Sequence, residues 1–248
     1  MGMGIQFVEK KLSEIFPRAR CIRMDTDTTS SKHAYENMLS DFRSHKADLL
    51  LGTQMVTKGH DFPDVTLVGI LNADASLYLN DFRAHEKTFS MLTQVIGRAG
   101  RADKTGRALI QTSDPDNDVI RLACAQDYKT FYKNEIKTRQ LLSFPPFCDI
   151  VLLTLSGTEE SAVMRESKNL SDTLRTLSSG EYRDVPLVCF GPFEAPVYKV
   201  ENRFRMRMVI KCKLNRRSRA MFDEIYKTFG KKSRQASALS VDLNPSSL

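Results

Sequence analysis

Two arginines three residues apart, Arg98 and Arg101, stand in the stretch Thr93-Gln94-Val95-Ile96-Gly97-Arg98-Ala99-Gly100-Arg101. Side chains three apart on a helical turn share a face, so both guanidinium forks can address one cluster of anionic oxygens, most obviously a phosphate chain. Gly97 and Gly100 leave no side chain in the way. A solvated arginine pair after a helix is the alternative. About forty residues upstream lies a second block, Gly52-Thr53-Gln54-Met55-Val56-Thr57-Lys58-Gly59-His60-Asp61-Phe62-Pro63, directly after the apolar run Leu49-Leu50-Leu51. Loops at the carboxyl ends of parallel strands are where α/β sheets hold ligands. A third constellation is Arg203, Arg205 and Arg207, alternating with Phe204, Met206 and Met208. Period two places the arginines on one face of a strand and the apolar residues on the other. A row of arginines can follow a phosphate backbone or grip an acidic peptide tail.

The elements that must carry these residues follow from periodicity. Apolar positions 5, 8, 12 and 15 predict a helix that Pro17 ends. Arg20 to Met24 reads as a strand, Tyr35, Met38, Leu39 and Phe42 mark a helix, and Asp48 to Gly52 is the strand feeding the second block. Val65 to Leu71 is continuously apolar, as expected of a strand buried on both faces. Residues 72–83 show no period and read as a long loop, in which Tyr78, Phe82 and Arg83 either pack or clamp a nucleic-acid strand. A helix from His85 to Val95 brings up the arginine pair. A strand at 107–112 and helices at 116–125 and 128–142 complete an alternation that predicts a parallel, helix-covered sheet. Phe144-Pro145-Pro146-Phe147 breaks the pattern and divides the chain into 1–143 and 144–248. Beyond it the order is βαββαβ, the split, ferredoxin-like α+β unit.

Composition narrows the classes. The 248 residues suffice for one large domain or two modest ones. No apolar run approaches the length of a membrane span, and Met1-Gly2-Met3-Gly4 lacks the basic-then-apolar layout of a secretion signal. The five cysteines are scattered, without a Cys-x-x-Cys pair, so no metal site is expected and reduced cysteines of a cytoplasmic protein fit. The four histidines show no ligand spacing. Net charge is +7, and within 199–234 there are 13 basic against 3 acidic residues. Such a run points to a polyanion, commonly nucleic acid, with a solubilising face as the bland alternative.

The two blocks resemble motifs V and VI of superfamily 2 helicases. Their wording, Thr-Gln-Met-x-x-Lys-Gly-x-Asp-Phe-Pro followed by Gln-Val-x-Gly-Arg-Ala-Gly-Arg, resembles the PriA family of replication-restart helicases. So do Arg23 to Thr29, Phe144-Pro145-Pro146-Phe147 and Gly191-Pro192-Phe193-Glu194-Ala195-Pro196. The likeness departs at His60 and Asn72, where the family tends to carry Leu and Asp. It implies a RecA-like second helicase lobe followed by the family's C-terminal domain. Arg98 and Arg101 then match the arginine fingers that reach a γ-phosphate, and Gln94 opens motif VI and couples nucleotide to DNA. Gly59 and Asp61 fall beside the nucleotide ribose, while Thr53, Gln54 and Lys58 fall where motif V meets the DNA backbone.

ATP hydrolysis also requires a phosphate cradle, usually Gly-x-x-x-x-Gly-Lys-Ser/Thr, and a Mg²⁺ carboxylate. The sequence carries neither that cradle nor an Asp-Glu pair after an apolar strand. The resemblance therefore implies half of an ATP and Mg²⁺ site shared with a first lobe, inactive alone. It also implies zinc-binding cysteines upstream of the matched part. The expected partners are forked and single-stranded DNA, the acidic tail of single-stranded DNA-binding protein, and primosome and helicase-loading proteins. The whole would be an ATP-dependent 3′-to-5′ DNA helicase that assembles the primosome. Two other readings stand beside it: a non-catalytic nucleic-acid or protein-binding module with vestigial motifs, and a nucleotide-free scaffold.

Overall fold

The computed structural model describes residues 4–25, 32–53, 62–97, 106–232 and 237–247. The chain divides into two compact units, Met1–Leu79 with Arg83–Phe131, and Asn80–Phe82 with Tyr132–Leu248. The first unit runs α1 (Ile5–Ile15), β1 (Cys21–Met24), α2 (Lys32–Arg43), β2 (Leu49–Gly52), β3 (Leu67–Ile70), α3 (Asp74–Leu77), α4 (Ala84–Ile96), β4 (Arg107–Ile110) and α5 (Asp118–Cys124), and takes in the start of α6 (Tyr128–Leu141). β1 lies parallel to β2, from Cys21 opposite Leu49 to Met24 opposite Gly52. β3 lies parallel to β4, from Leu67 opposite Arg107 to Ile70 opposite Ile110.

Polar clamps set where these strands begin and end. Arg20 donates from its backbone N and its Nε to Asp48 Oδ2 at 2.9 and 3.0 Å, and from Nη2 to Asp48 Oδ1 at 2.8 Å. The guanidinium holds the Asp48 carboxyl well below the usual carboxylate range and fixes β1 and β2 at their starts. After β3 and β4, Asp74 accepts from Thr112 Oγ1 at 2.6 Å and from the Ser113 backbone N at 2.8 Å. Those bonds depress its carboxyl and tie the two strand exits together.

The stretch read as a loop at 72–83 thus contains the short helix α3, with Leu77 buried. β3 departs from its expected two-sided burial: Leu67 is 57% exposed, and the strand alternates exposed and half-buried positions. Its apolar run predicts burial on both faces, but among the described residues β4 is the strand it pairs with, and Ile70 is its residue that packs on the apolar cluster below. That cluster is led by α4, whose Ala84, Thr88, Phe89 and Leu92 share one buried stripe. Phe89 stacks on Phe131 with centroids 4.1 Å apart.

The second unit follows with β5 (Asp149–Gly157), α7 (Glu160–Ser179), β6 (Leu187–Val200), β7 (Arg203–Cys212), α8 (Arg216–Lys232) and β8 (Ser237–Leu243). The strands lie in the order β6-β7-β5-β8, and every neighbouring pair is antiparallel. Alternate residues of β5 (Val151, Leu153, Leu155) and β7 (Met206, Met208, Ile210, Cys212) join Val163, Leu170, Leu174, Met221, Phe222 and Ile225 from α7 and α8 in one core. Asp149 closes the end of the sheet, accepting from the Leu214 backbone N at 2.8 Å and from Asn244 Nδ2 at 2.9 Å. β6 is longer than its apolar tetrad Leu187 to Phe190 predicts. It passes through an irregularity after Phe190 and resumes pairing at Phe193 opposite Arg207. As the edge strand it tolerates Pro192 and Pro196, which have no N–H to give a ladder.

Candidate nucleotide and nucleic-acid surfaces

The two helicase-like blocks sit at ends of regular elements. β2 delivers Gly52, and Thr53 follows as an exposed bend. Gln54, Lys58, Gly59 and Asp61 lie outside the described residues. Phe62, near the end of that block, meets Phe42 of α2 edge-on at 5.2 Å, with the Arg43 guanidinium 5.6 Å from its ring. At the other block, Gln94 lies two residues beyond buried Leu92, about 200° around the helix, and is accordingly exposed. Its Nε2 donates to Ser90 Oγ at 3.2 Å. α4 ends at Ile96, with the Gly97 N–H on Thr93 O at 3.0 Å. Arg98 and Arg101 lie outside the described residues, so of the nucleotide-facing candidates the structure positions Gln94 alone.

The arginine row is fully described. Because Met206, Met208 and Ile210 enter the core with α7 and α8, Arg203, Arg205, Arg207, Val209 and Lys211 share the opposite face of β7. Arg203 Nη2 donates to Ser156 O at 2.9 Å, which leans the side chain across β5. Arg207 is half-buried, and its Nε is buried with no hydrogen-bond partner. Burial, and then the neighbouring Arg205, lower its pKa from the ordinary arginine value. Lys211 donates to Leu142 O at 2.7 Å and lies 3.7 Å from the Phe144 ring centroid, and burial lowers its pKa. The positions paired with Arg205, Arg207, Val209 and Lys211 are Ser156, Thr154, Phe193, Leu152, Phe190, Ile150 and Val188, none of them a carboxylate. Toward the β5 side, Ile150 and Leu152 are buried, so the open part of this face lies on β6 and β7.

Of the three residues singled out in 72–83, Phe82 is packed: it stacks on Phe144 at 5.0 Å beneath the Arg139 guanidinium, 5.2 Å away. Tyr78 is 66% exposed. Sequence reasoning overlooked Phe190 and Phe193, which join the arginine face. The available signal was Gly191-Pro192 within an apolar strand, a pairing that marks a bulge. Among the described residues no group of three His, Cys, Asp or Glu side chains could hold a metal ion, and no helix is long and apolar enough to cross a membrane.

Residues 4–103 match the helicase conserved C-terminal domain, and residues 140–246 match the primosomal protein N C-terminal domain. The chain is thus a RecA-like helicase lobe of α/β type joined to a second, mixed α/β domain. It is 41% identical over 98% of its length to the replication restart protein PriA of Bacillus subtilis, covering 30% of that protein. It is 40% identical over 85% of its length to the PriA of Chlamydia pneumoniae and 37% identical over 85% to that of Synechocystis, covering 27% and 25% of those proteins. The chain belongs to the PriA family, and it spans less than a third of the length of these relatives.

Proposed function

We propose that this chain is the C-terminal part of an ATP-dependent 3′-to-5′ DNA helicase that recognises stalled or forked DNA and assembles the primosome for replication restart in the cytoplasm. The observation that carries the reading is the joint match: a helicase C-terminal domain over 4–103 and a primosomal C-terminal domain over 140–246 in one chain. In this reading residues 1–143 form half of an ATP and Mg²⁺ site completed by a first RecA-like lobe. Arg98 and Arg101 meet the charge that develops on the transferring phosphate. Gly59 and Asp61 flank the ribose, Gln94 links nucleotide to DNA, and Thr53, Gln54 and Lys58 meet the DNA backbone. Residues 144–248 form a ferredoxin-like domain, a reading supported by the βαββαβ order and the antiparallel strand order β6-β7-β5-β8. This domain holds DNA through Arg203, Arg205 and Arg207, and primosome proteins and the acidic tail of single-stranded DNA-binding protein are its expected partners.

Salt dependence tests the DNA track. Binding that neutralises phosphates weakens with salt at a log–log slope of roughly −0.7 per phosphate on single strands. Replacing Arg203, Arg205 and Arg207 together by Gln should flatten that slope by about 1.4 to 2 if two or three of them touch phosphate. The apolar side of β7 stays intact, which a circular-dichroism melt can verify. A folded triple variant with unchanged affinity and slope would remove the row from this role.

A further inference from the structure

Phe190 and Phe193 are three residues apart, and in a regular strand they would point to opposite faces. In β6 they do not. Phe190 pairs with Val209 and Phe193 pairs with Arg207, so three steps along β6 match two along β7. The extra residue is a bulge at Gly191-Pro192, and it turns both rings to the arginine side of the sheet. The backbone is shaped for it: Gly191 has φ +105°, and a Cβ there would lie 2.8 Å from the Arg207 carbonyl oxygen. The two rings are 46% and 41% exposed, an unusual state for phenylalanines on a strand. Each has cationic neighbours. Phe193 stands opposite Arg207, and the Phe190 ring centroid is 5.6 Å from Lys211 Nζ.

We infer that Phe190 and Phe193 form a stacking platform for two bases of a single-stranded nucleic acid whose phosphates run along the arginine row. The inference rests on the proposed DNA track and adds the residues that engage the bases. Matched to β7 partners two residues apart, the rings sit about 7 Å from each other along the strand, a spacing a stretched single strand can match. Exposed aromatic rings beside a cationic groove hold any base by its π-face, without reading sequence. The face carries positive charge with no carboxylate at the paired positions, which suits a polyanion. An acidic peptide would gain from the same charges but has no general need for two exposed rings.

The test uses the whole chain, residues 1–248, with two probes of equal length: labelled oligothymidylate and an abasic deoxyribose-phosphate strand. The wild type should prefer oligothymidylate. Phe190→Leu with Phe193→Leu, which keeps apolar bulk, should lose at least about tenfold in affinity for oligothymidylate. Its affinity for the abasic strand and its salt slope should not change. The chain contains no tryptophan, so Phe190→Trp supplies a single reporter, whose emission should be quenched by oligothymidylate and not by the abasic strand. Equal binding of both probes by the wild type, or a retained preference in the double variant, overturns the platform while leaving the arginine track standing. Loss of all binding in the arginine-to-Gln triple variant supports that track independently. Displacement of bound oligothymidylate by a peptide ending in acidic and aromatic residues, lost in the Phe190→Leu, Phe193→Leu variant, would instead assign the rings to a protein ligand and overturn the inference.

Discussion

The described arginines are used in three physical ways and the proposed function adds a fourth, and the uses predict different mutant behaviour. Arg20 is consumed by Asp48 and holds two strand starts, so it is architectural. Arg203 spends one N–H on Ser156 O, and since a guanidinium carries five donors, others remain for the proposed DNA track. Arg207 keeps a buried, unpartnered Nε, and none of the positions paired with it is a carboxylate, a cost that stability alone does not explain. In the proposed function Arg98 and Arg101 have a fourth use, in which the charge acts on a transition state. In the full-length protein, Arg98→Ala or Arg101→Ala should lower ATP turnover by on the order of 10³-fold. Nucleotide and DNA affinity should change far less, because a finger acts on charge that develops only during transfer. Steady-state turnover beside equilibrium nucleotide binding separates the two effects. A variant within a few-fold of wild-type turnover takes that arginine out of the role.

Among the elements, most boundaries were legible because period and punctuation agreed. Pro17 stops α1, Asn117 caps α5 by accepting from the Val119 N–H, and the strict alternation in 203–212 became β7. Where the reading fell short, the cause was tertiary. Asp74 folds part of 72–83 into α3 through residues that lie almost forty positions away, which no local pattern announces. β3 shows an apolar run can mark a strand without telling how many of its faces are covered. The bulge in β6 is spelled Gly191-Pro192, but the register shift that puts Phe190 and Phe193 on one face is set by pairing with β7 and not by local period. The candidate site was legible in its residue types and not in the pairing that gathers them. Asp149 gives the element scale its prediction. It joins the start of β5 to the β7–α8 connection and to Asn244 after β8, and the Leu214 N–H first, with Asn244 and the charges of Lys213 and Arg219, depresses its carboxyl. A depressed folded-state value stabilises the fold above the unfolded value of about 3.9, and that contribution is lost as pH falls through the folded value. Asp149→Asn should therefore melt below wild type at neutral pH, and the gap should close as pH drops below about 4. A gap that stays constant across that window would show that Asp149 acts by shape and not by charge.

For the molecule as a whole, charge and chemistry separate along the chain. Residues 1–144 carry 20 basic and 18 acidic side chains, while 145–248 carry 17 and 12, so the excess positive charge concentrates in the second half. The helicase-type motifs lie in the first half, where the balance is nearly neutral. Such a division suits a protein that grips a polyanion with one domain and turns over nucleotide with another. Turnover, however, needs more than the arginines. The phosphate cradle and the Mg²⁺ carboxylates position and neutralise the transferring group, and fingers without them have no oriented phosphate on which to act. The 248 residues contain no Gly-x-x-x-x-Gly-Lys-Ser/Thr and no Asp-Glu pair after an apolar strand. Purified residues 1–248 should therefore hydrolyse no ATP above background, with or without single-stranded DNA, while still binding that DNA in a salt-dependent manner. Release of inorganic phosphate, measured with and without oligothymidylate and with the Arg98→Ala variant as the contamination control, decides the matter. DNA-stimulated release that the Arg98→Ala change abolishes would mean that this chain holds a complete site, and the shared-site reading would fall.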